Sequence, residues 1–447
     1  MFDNMKNFIL ISPHFPDSYY QFAEALKDNG FRVLGIGDCP YDQLSPKLKN
    51  ALTEYYGCWD MDNFVNLLNA VQYFQDKYGH IDYLESNNEY WLRTDAKLRE
   101  WFNIDTGIRG DQINIYQHKS RMKEKYKLAG AKIAKFVLVK DDRKIVEDFI
   151  KEVDYPVFAK PDIGVGAEGD FKISNSGDLD NFFAQKVPGI TYIVEQFVTG
   201  NIISFDGIAD SNSNVVFCTS NFFPPSISDI VKEHKDVVYY TLPKCPEDLE
   251  EIGRKVIKAF EVKKRFFHLE FFRLTKDVKG LAKKGEIVAL ETNMRPAGGY
   301  IPDLINFANS VSCYKIWADV MAFDENRQDL SLEKFYACVA SRRFEGHYLH
   351  SDNEILETYK NNVCHYGVYP KVFAGAMGDK FYMAKFKTLE EVNKYADYVV
   401  TKVDEVKGPQ RRSKHLTGED IDMFNERKQE SSSFDGLTIC DKHVDGA

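Results

Sequence analysis

Two strongly apolar segments, FHLEFFRL (267–274) and IVALETNMRP (287–296), each hold one carboxylate near the middle, Glu270 and Glu291. A carboxylate inside a buried strand is costly unless it is paired or bound to a cation. On consecutive strands the two can meet face to face. Asn293 lies two residues after Glu291, and the period of two in a strand puts it on the same face. Two carboxylates and an amide oxygen are hard donors that suit Mg2+ held together with nucleotide phosphates. The competing reading is a pair of edge-strand glutamates bridged to Arg273 or to a lysine. Arg295 follows at the strand's exit, where a guanidinium can clamp a transferring phosphoryl group or a substrate carboxylate; alone, it also suits a surface ion pair. Pro296 and the pair Gly298–Gly299 read as a tight turn whose N–H groups can meet an anion. His268, two residues before Glu270, either lines this site or packs behind it.

A second set of residues suits phosphate and base recognition. In YPVFAKPDIGVGAEGDFKI (155–173), Lys160 ends an apolar strand, and Gly164, Gly166 and Gly169 follow before the next strand. A Gly-rich hairpin can lay N–H groups over phosphates beside a fixed lysine charge; taken alone, it is more often a plain turn. No helix follows the glycines, so this is neither a Walker motif nor a dinucleotide fingerprint. In TYIVEQFVTG (191–200), Glu195 stands in an apolar strand whose edge can pair with an adenine; the alternative is a core strand with one exposed glutamate.

Several elements must position these groups. Residues 8–12 and 31–37 read as strands around an amphipathic helix over 17–29, with Asp17 as N-cap and Gly30 as stop. Residues 55–59, 62–78 and 81–86 repeat the βαβ pattern, which requires parallel strands. Residues 1–115 therefore form an open α/β domain. A lysine-rich helix is expected over 116–128, and strands at 133–139, 156–160, 171–174, 192–198, 202–209, 215–219 and 266–274 give an α+β signature. This divides the chain into subdomains at 116–200 and 201–325. A small sheet-rich C-terminal module at 326–405 has strands expected at 335–341, 368–373 and 380–387. A polar tail occupies 406–447.

Composition narrows the function classes. The chain has 447 residues, 44% hydrophobic and 14% aromatic, which suits two or three packed domains rather than disorder. A net charge of −10 argues against a nucleic-acid partner. No apolar run approaches the roughly 20 residues that span a bilayer, and the N-terminus does not read as a signal peptide. Eight scattered cysteines without a CxxC pair suit reduced thiols in the cytoplasm.

In order and spacing, these elements resemble the ATP-grasp superfamily, and within it the carboxylate–amine ligases. The resemblance covers about residues 110–324, with the preceding βαβ region similar to that family's N-terminal domain. It implies ATP with Mg2+, or Mn2+ in its place, held by Glu270, Glu291 and Asn293. Arg295 falls on the arginine that contacts phosphate or acyl phosphate, with Gly298, Gly299 and His268 near the substrate. Lys119 (in QHKSRMKEKYKLAG) and Lys160 fall on the ATP-contacting lysines. Residues Glu195, Gln196, Phe197 and Val198 fall on the adenine hinge, and 163–170, with Gly164 and Gly166, on the phosphate loop. GNIISFDG (200–207) departs from the G-x-E-x-S-x-D pattern of related ligases, having Ile202 at the acidic position. The resemblance implies activation of a carboxylate as an acyl phosphate and its capture by an amine, with small-molecule substrates and a homodimer by analogy. A phosphotransferase or carbamoyl-phosphate-type enzyme, and a catalytically silent nucleotide-binding regulator, are the alternatives.

Overall fold

A computed structural model describes residues 5–163, 169–223 and 236–403. The N-terminal strands β1 (Asn7–Ile11), β2 (Arg32–Gly37), β3 (Glu54–Gly57) and β4 (Tyr83–Glu85) form a parallel sheet in the order 3-2-1-4. β1 is buried along its whole length, as the apolar run Phe8–Ile11 requires of a strand covered on both faces. The helix after β1 differs from the sequence expectation. A 3-10 turn, Asp17–Tyr19, precedes the α-helix Tyr20–Asp28, and Asp17 does not cap it. Pro16 occupies the position before the turn, and its fixed φ sets the chain's entry without a side-chain cap.

Strands β5 (Phe136–Val139), β6 (Val157–Pro161), β7 (Phe171–Ile173) and β8 (Tyr192–Gln196) make a small antiparallel sheet in the order 5-8-6-7. The helices Arg143–Val153 and Ser176–Gln185 bury Val146, Phe149 and Phe182 against Val157 and Tyr192. The lysine-rich helix expected over 116–128 is instead two helices, Ile113–Gln117 and Lys119–Leu128. His118 between them is extended, because Asp162 at the end of β6 draws the chain out. Its carboxylate accepts from the Ser120 N–H (2.8 Å) and Oγ (3.0 Å) and lies 3.1 Å from His118 Nδ1.

The large sheet contains β9 (Gly200–Ala209), β10 (Val215–Thr219), β11 (Asn221–Phe223), β12 (Val238–Thr241), β13 (Arg265–Leu274), β14 (Ile287–Asn293), β15 (Tyr336–Arg342), β16 (Val363–Val368) and β17 (Lys380–Phe386). Its order is 14-13-9-11-12-15-17-16, with β10 also on β9, so the C-terminal strands extend the sheet that carries Glu270 and Glu291. The strand expected over 368–373 is not formed: β16 ends at Val368, and Lys371–Met377 is helical. Pro370, which has no N–H for a ladder, stops the strand.

Helices Ile301–Asn309 and Cys313–Phe323 cover one face of this sheet, and Glu247–Ala259 and Leu389–Val400 the other. Trp317 packs its ring on Phe8 and Phe22 at 5.5 and 5.0 Å, joining the N-terminal sheet to the large one. No helix among the described residues is long and apolar enough to cross a membrane.

The close approach of β9 to its neighbours depends on glycine at one point. A Cβ on Gly207 would stand 2.2 Å from the Phe217 carbonyl oxygen and 2.6 Å from the Phe267 ring. Backbone on one side and a core ring on the other leave little room to yield. Gly207→Ala is expected to lower stability by about 3 kcal/mol, seen as a lower denaturation midpoint with an unchanged slope.

Candidate active site

The antiparallel register sets Glu270 opposite Glu291 and His268 opposite Asn293. On the other flank, β9 sets Ser204 beside Glu270 and Asp206 beside His268. The β13–β14 register shifts after Glu270, so that Phe271 faces Ala289 and Leu290 is the extra residue of a bulge. Bulges re-aim side chains and recur beside active sites. Glu270 and Glu291 are only 1% and 4% exposed. Like charges directly opposite in a ladder repel, and burial sharpens that repulsion. Arg273, the alternative partner, is engaged by Asp248 at 2.8 and 2.9 Å.

The arrangement suits a divalent cation. Asn293 is buried beside the acids, and its Oδ1 accepts from Arg295 Nη2 at 3.2 Å. Its Nδ2 has no partner among the described residues. No group of three or more His, Cys, Asp and Glu side chains able to hold a metal occurs among the described residues. The residues that would hold Mg2+ here are two carboxylates and one amide oxygen, a small set of hard donors of the kind Mg2+ accepts. Behind the acids, His268 places Nδ1 2.5 Å from Asp206 Oδ1 and Nε2 3.2 Å from Glu270 Oε1. Asp206 also accepts from Asn221 Nδ2 at 2.7 Å and from Ser204 Oγ. Such a chain fixes the imidazole and, through it, one carboxylate oxygen.

Arg295 leaves the same strand exit. Its Nη1 donates to the Pro296 carbonyl at 2.8 Å, and its Nε meets Glu89 Oε2 of the N-terminal domain at 3.2 Å. Glu89, Arg295, Gly298, Gly299 and Asn87 line a small cleft between the domains. Gly299 has φ +57, and a Cβ there would lie 2.8 Å from Met377 Sδ. Asn87 has φ +55, is 1% exposed, and neither atom of its carboxamide has a partner among the described residues. Asparagine adopts this left-handed conformation readily, so the unusual feature is the buried carboxamide beside the cleft, without a protein partner among the described residues.

The second cluster lies between the small sheet and the large one. Lys123, Lys160, Glu195, Gln196, Phe197 and Val198 line a narrow cleft there, against Phe272, Ala289 and Leu290 of the large sheet. Glu195 is buried, not an exposed strand residue; it bridges Lys123 through Oε1 and Lys160 through Oε2, the latter at 2.9 Å. Burial alone would raise the Glu195 carboxyl, but the two ammonium groups outweigh it and hold it down at about 2. Burial pulls the Lys123 ammonium below its ordinary value. Gln196 donates to the Lys279 carbonyl at 2.9 Å. Lys172 stands over the Phe197 ring at 4.7 Å.

Lys119 begins its helix with its N–H on the Asp162 carbonyl at 2.9 Å, and its side chain is buried. Lys123, which the sequence reading does not single out, is the lysine that reaches Glu195. Its spacing of four from Lys119 was the available signal, since both then share a helix face. Tyr126 on the same helix donates to the Glu291 carbonyl at 2.7 Å, tying this cluster to the acidic pair. Gly164 and Gly166 lie outside the described residues. Burial pushes the Cys58 and Cys218 thiols up to about 11, away from the thiolate form.

Neither a family model nor a curated protein sequence matches the chain. Solved structures do. A phosphoribosylglycinamide synthetase from Anaerococcus prevotii superposes with a TM-score of 0.64 at 15% identity, over 89% of this chain and 98% of that one. An L-amino acid ligase from Bacillus licheniformis gives 0.62 at 13%, over 89% and 97%. A biotin carboxylase from Campylobacter jejuni, solved as a beta-gamma-ATP complex, gives 0.64 at 13%, over 92% and 97%. At these identities the shared property is the fold.

Proposed function

We propose, from the premise that this chain carries the ATP-grasp fold, that it is an ATP- and Mg2+-dependent ligase joining a carboxylate to an amine. The observation that carries the reading is the buried pair Glu270–Glu291, directly opposed in register beside the cleft of Lys123, Lys160 and Glu195. A carboxylate is a poor electrophile because its leaving group would be oxide. Transfer of the γ-phosphoryl group to it yields an acyl phosphate and ADP; an amine then attacks the acyl carbon and releases phosphate.

β8 is paired on both sides and has no free edge, so Gln196 to Val198, where the chain leaves β8, supply backbone and apolar side chains for the adenine, and Lys160 and Lys119 offset phosphate charge. Glu270, Glu291 and Asn293 would hold the metal, which would supply positive charge against the negative charge that develops in transfer. Arg295, already oriented by Glu89, faces the transferred phosphoryl group or the acyl phosphate. His268 holds Glu270 in place. Gly298 and Gly299 bring backbone close to the acceptor. The cysteines form no disulfide among the described residues, which suits a cytoplasmic setting.

The test is an ADP-release screen over carboxylates and amines, followed by mass spectrometry of the product. An amide product supports the ligase. ADP formed with no amine requirement points to a phosphotransferase, and no ADP with any pair points to a silent nucleotide binder. In the ligase case, Arg295→Ala should lower kcat by about 10²-fold, the scale of one oriented charge in a transition state, while circular dichroism stays native.

A further inference from the structure

Four buried charged side chains outside these clusters join the N-terminal sheet to the strand exit bearing Asn293 and Arg295: Glu85, Asp95, Arg99 and Arg265. Arg265, the first residue of β13, is 2% exposed. Its Nε donates to the Met294 carbonyl at 2.9 Å and its Nη2 to Glu85 Oε1 at 2.8 Å. Met294 is the residue between Asn293 and Arg295. Glu85, the last residue of β4, meets Arg99 Nη2 with its other oxygen at 2.9 Å. Arg99 is itself fixed on the Leu84 carbonyl at 2.9 and 2.7 Å and on the Ile108 carbonyl at 2.8 Å.

From Glu85 the chain runs straight into the segment 86–89. Asp95 folds that segment, accepting from the Ser86 N–H at 3.0 Å and from its Oγ at 2.6 Å. The segment ends at Glu89, on Arg295. Two routes therefore lead from Glu85 to the site: one through Arg265 to the Met294 carbonyl, the other along the backbone to Arg295.

A buried ion network is a poor way to gain stability, because desolvation offsets the attraction; apolar side chains of similar volume would join the two sheets as well. What a guanidinium adds is direction, since its donors sit in a rigid planar fork. Here that fork is aimed at one backbone carbonyl and one carboxylate. We propose that Arg265 and Glu85 are positioning residues: together they set the Met294 peptide, and with it the aim of Asn293 and Arg295, against the segment 86–89. Neither touches reactants. The inference rests on the ligase reading for its effect on turnover, and on geometry alone for its effect on the two segments.

The test compares Arg265→Lys and Glu85→Gln with the wild-type full chain. Lysine keeps the charge but cannot hold carbonyl and carboxylate with one fork, and glutamine keeps the shape without the charge. Amide exchange is followed in peptides covering 86–91 and 293–299, and ADP affinity is measured without metal. In either variant both peptides should exchange about tenfold faster, while metal-free ADP affinity, read at the Lys123–Glu195–Lys160 cleft, which neither Arg265 nor Glu85 lines, stays within about twofold. Turnover should fall by about 10²-fold in kcat with little change in KM for ATP. Unchanged exchange at 293–299 in both variants overturns the proposal. So does a loss of ADP affinity parallel to the loss of turnover, since that is general loosening. If the wild type releases no ADP with any substrate pair, the ligase reading fails, and the exchange and ADP measurements still decide the positioning role.

Discussion

Glu291→Gln should abolish metal-dependent ADP release, lowering it by about 10²–10³-fold or more, while leaving the folded protein nearly as stable as before. The two halves of this result have one cause. Glu291 opposes Glu270 across the ladder, and both are buried. A carboxylate placed there for stability would be a poor choice, because the cross-strand repulsion works against it. Removing the charge removes that repulsion, which offsets the contacts glutamine loses, so the metal-free melting free energy should move by no more than about 1 kcal/mol. Glutamine cannot give the cation a charged oxygen, and turnover is lost. Activity assays with the wild type in chelator should reproduce the loss, with recovery on adding Mg2+ or Mn2+. Calorimetry of the metal-free variant completes the test. A variant that retains turnover would show that Glu291 holds no metal the reaction needs, and one that unfolds would show that the pair serves the fold.

Glu195→Gln should behave in the opposite way, with stability falling by about 3–5 kcal/mol. Glu195 sits between Lys123 and Lys160, and all three are buried. Glutamine leaves two ammonium groups facing each other without a counter-charge. The pH dependence follows from the carboxyl's value of about 2, below its ordinary 4.5. A depressed folded value stabilises the native state above pH 4.5 and is lost as pH falls toward 2. The gross contribution is about 3 kcal/mol, offset in part by the cost of burying the Lys123 ammonium. Acid titration of the wild type should therefore show a limb that is missing in the variant. In the variant, the folded Lys123 should release its proton more readily than the unfolded chain does, so stability should rise with pH. Thermal midpoints across a pH series would read both effects, and a variant with wild-type acid behaviour would refute the ion triad.

The sequence was legible where chemistry conflicts with its surroundings. Glu270 and Glu291 stand out as charges in apolar strands, and Asn293 and Arg295 follow from a strand period of two. The βαβ repeat was legible from continuous apolar runs, because a strand covered on both faces leaves no polar side to its pattern. Local punctuation was harder to read. A helix pattern continues smoothly through His118, yet the helix breaks there because Asp162, 44 residues away, captures Ser120 and the His118 ring. At 368–373 an apolar run gives way to a helix that starts after Pro370.

Some features belong to the tertiary structure alone. Sequence period can place Glu270 and Glu291 each on one strand face, but only the register, with its bulge at Leu290, puts them opposite each other. Glu195 has no local feature that shows its fate. Two lysines from separate elements, one on a helix and one on β6, decide that it is buried and ionised. Glu85, Glu89 and Arg265 lie up to 180 residues apart and meet at the strand exit only once the N-terminal sheet docks on the large one. The amino-acid sequence by itself determined which side chains must be compensated if buried, because that follows from residue type and strand period. Which groups compensate them was decided by packing between distant elements, because a buried charge is satisfied by whatever the fold brings within a few ångströms.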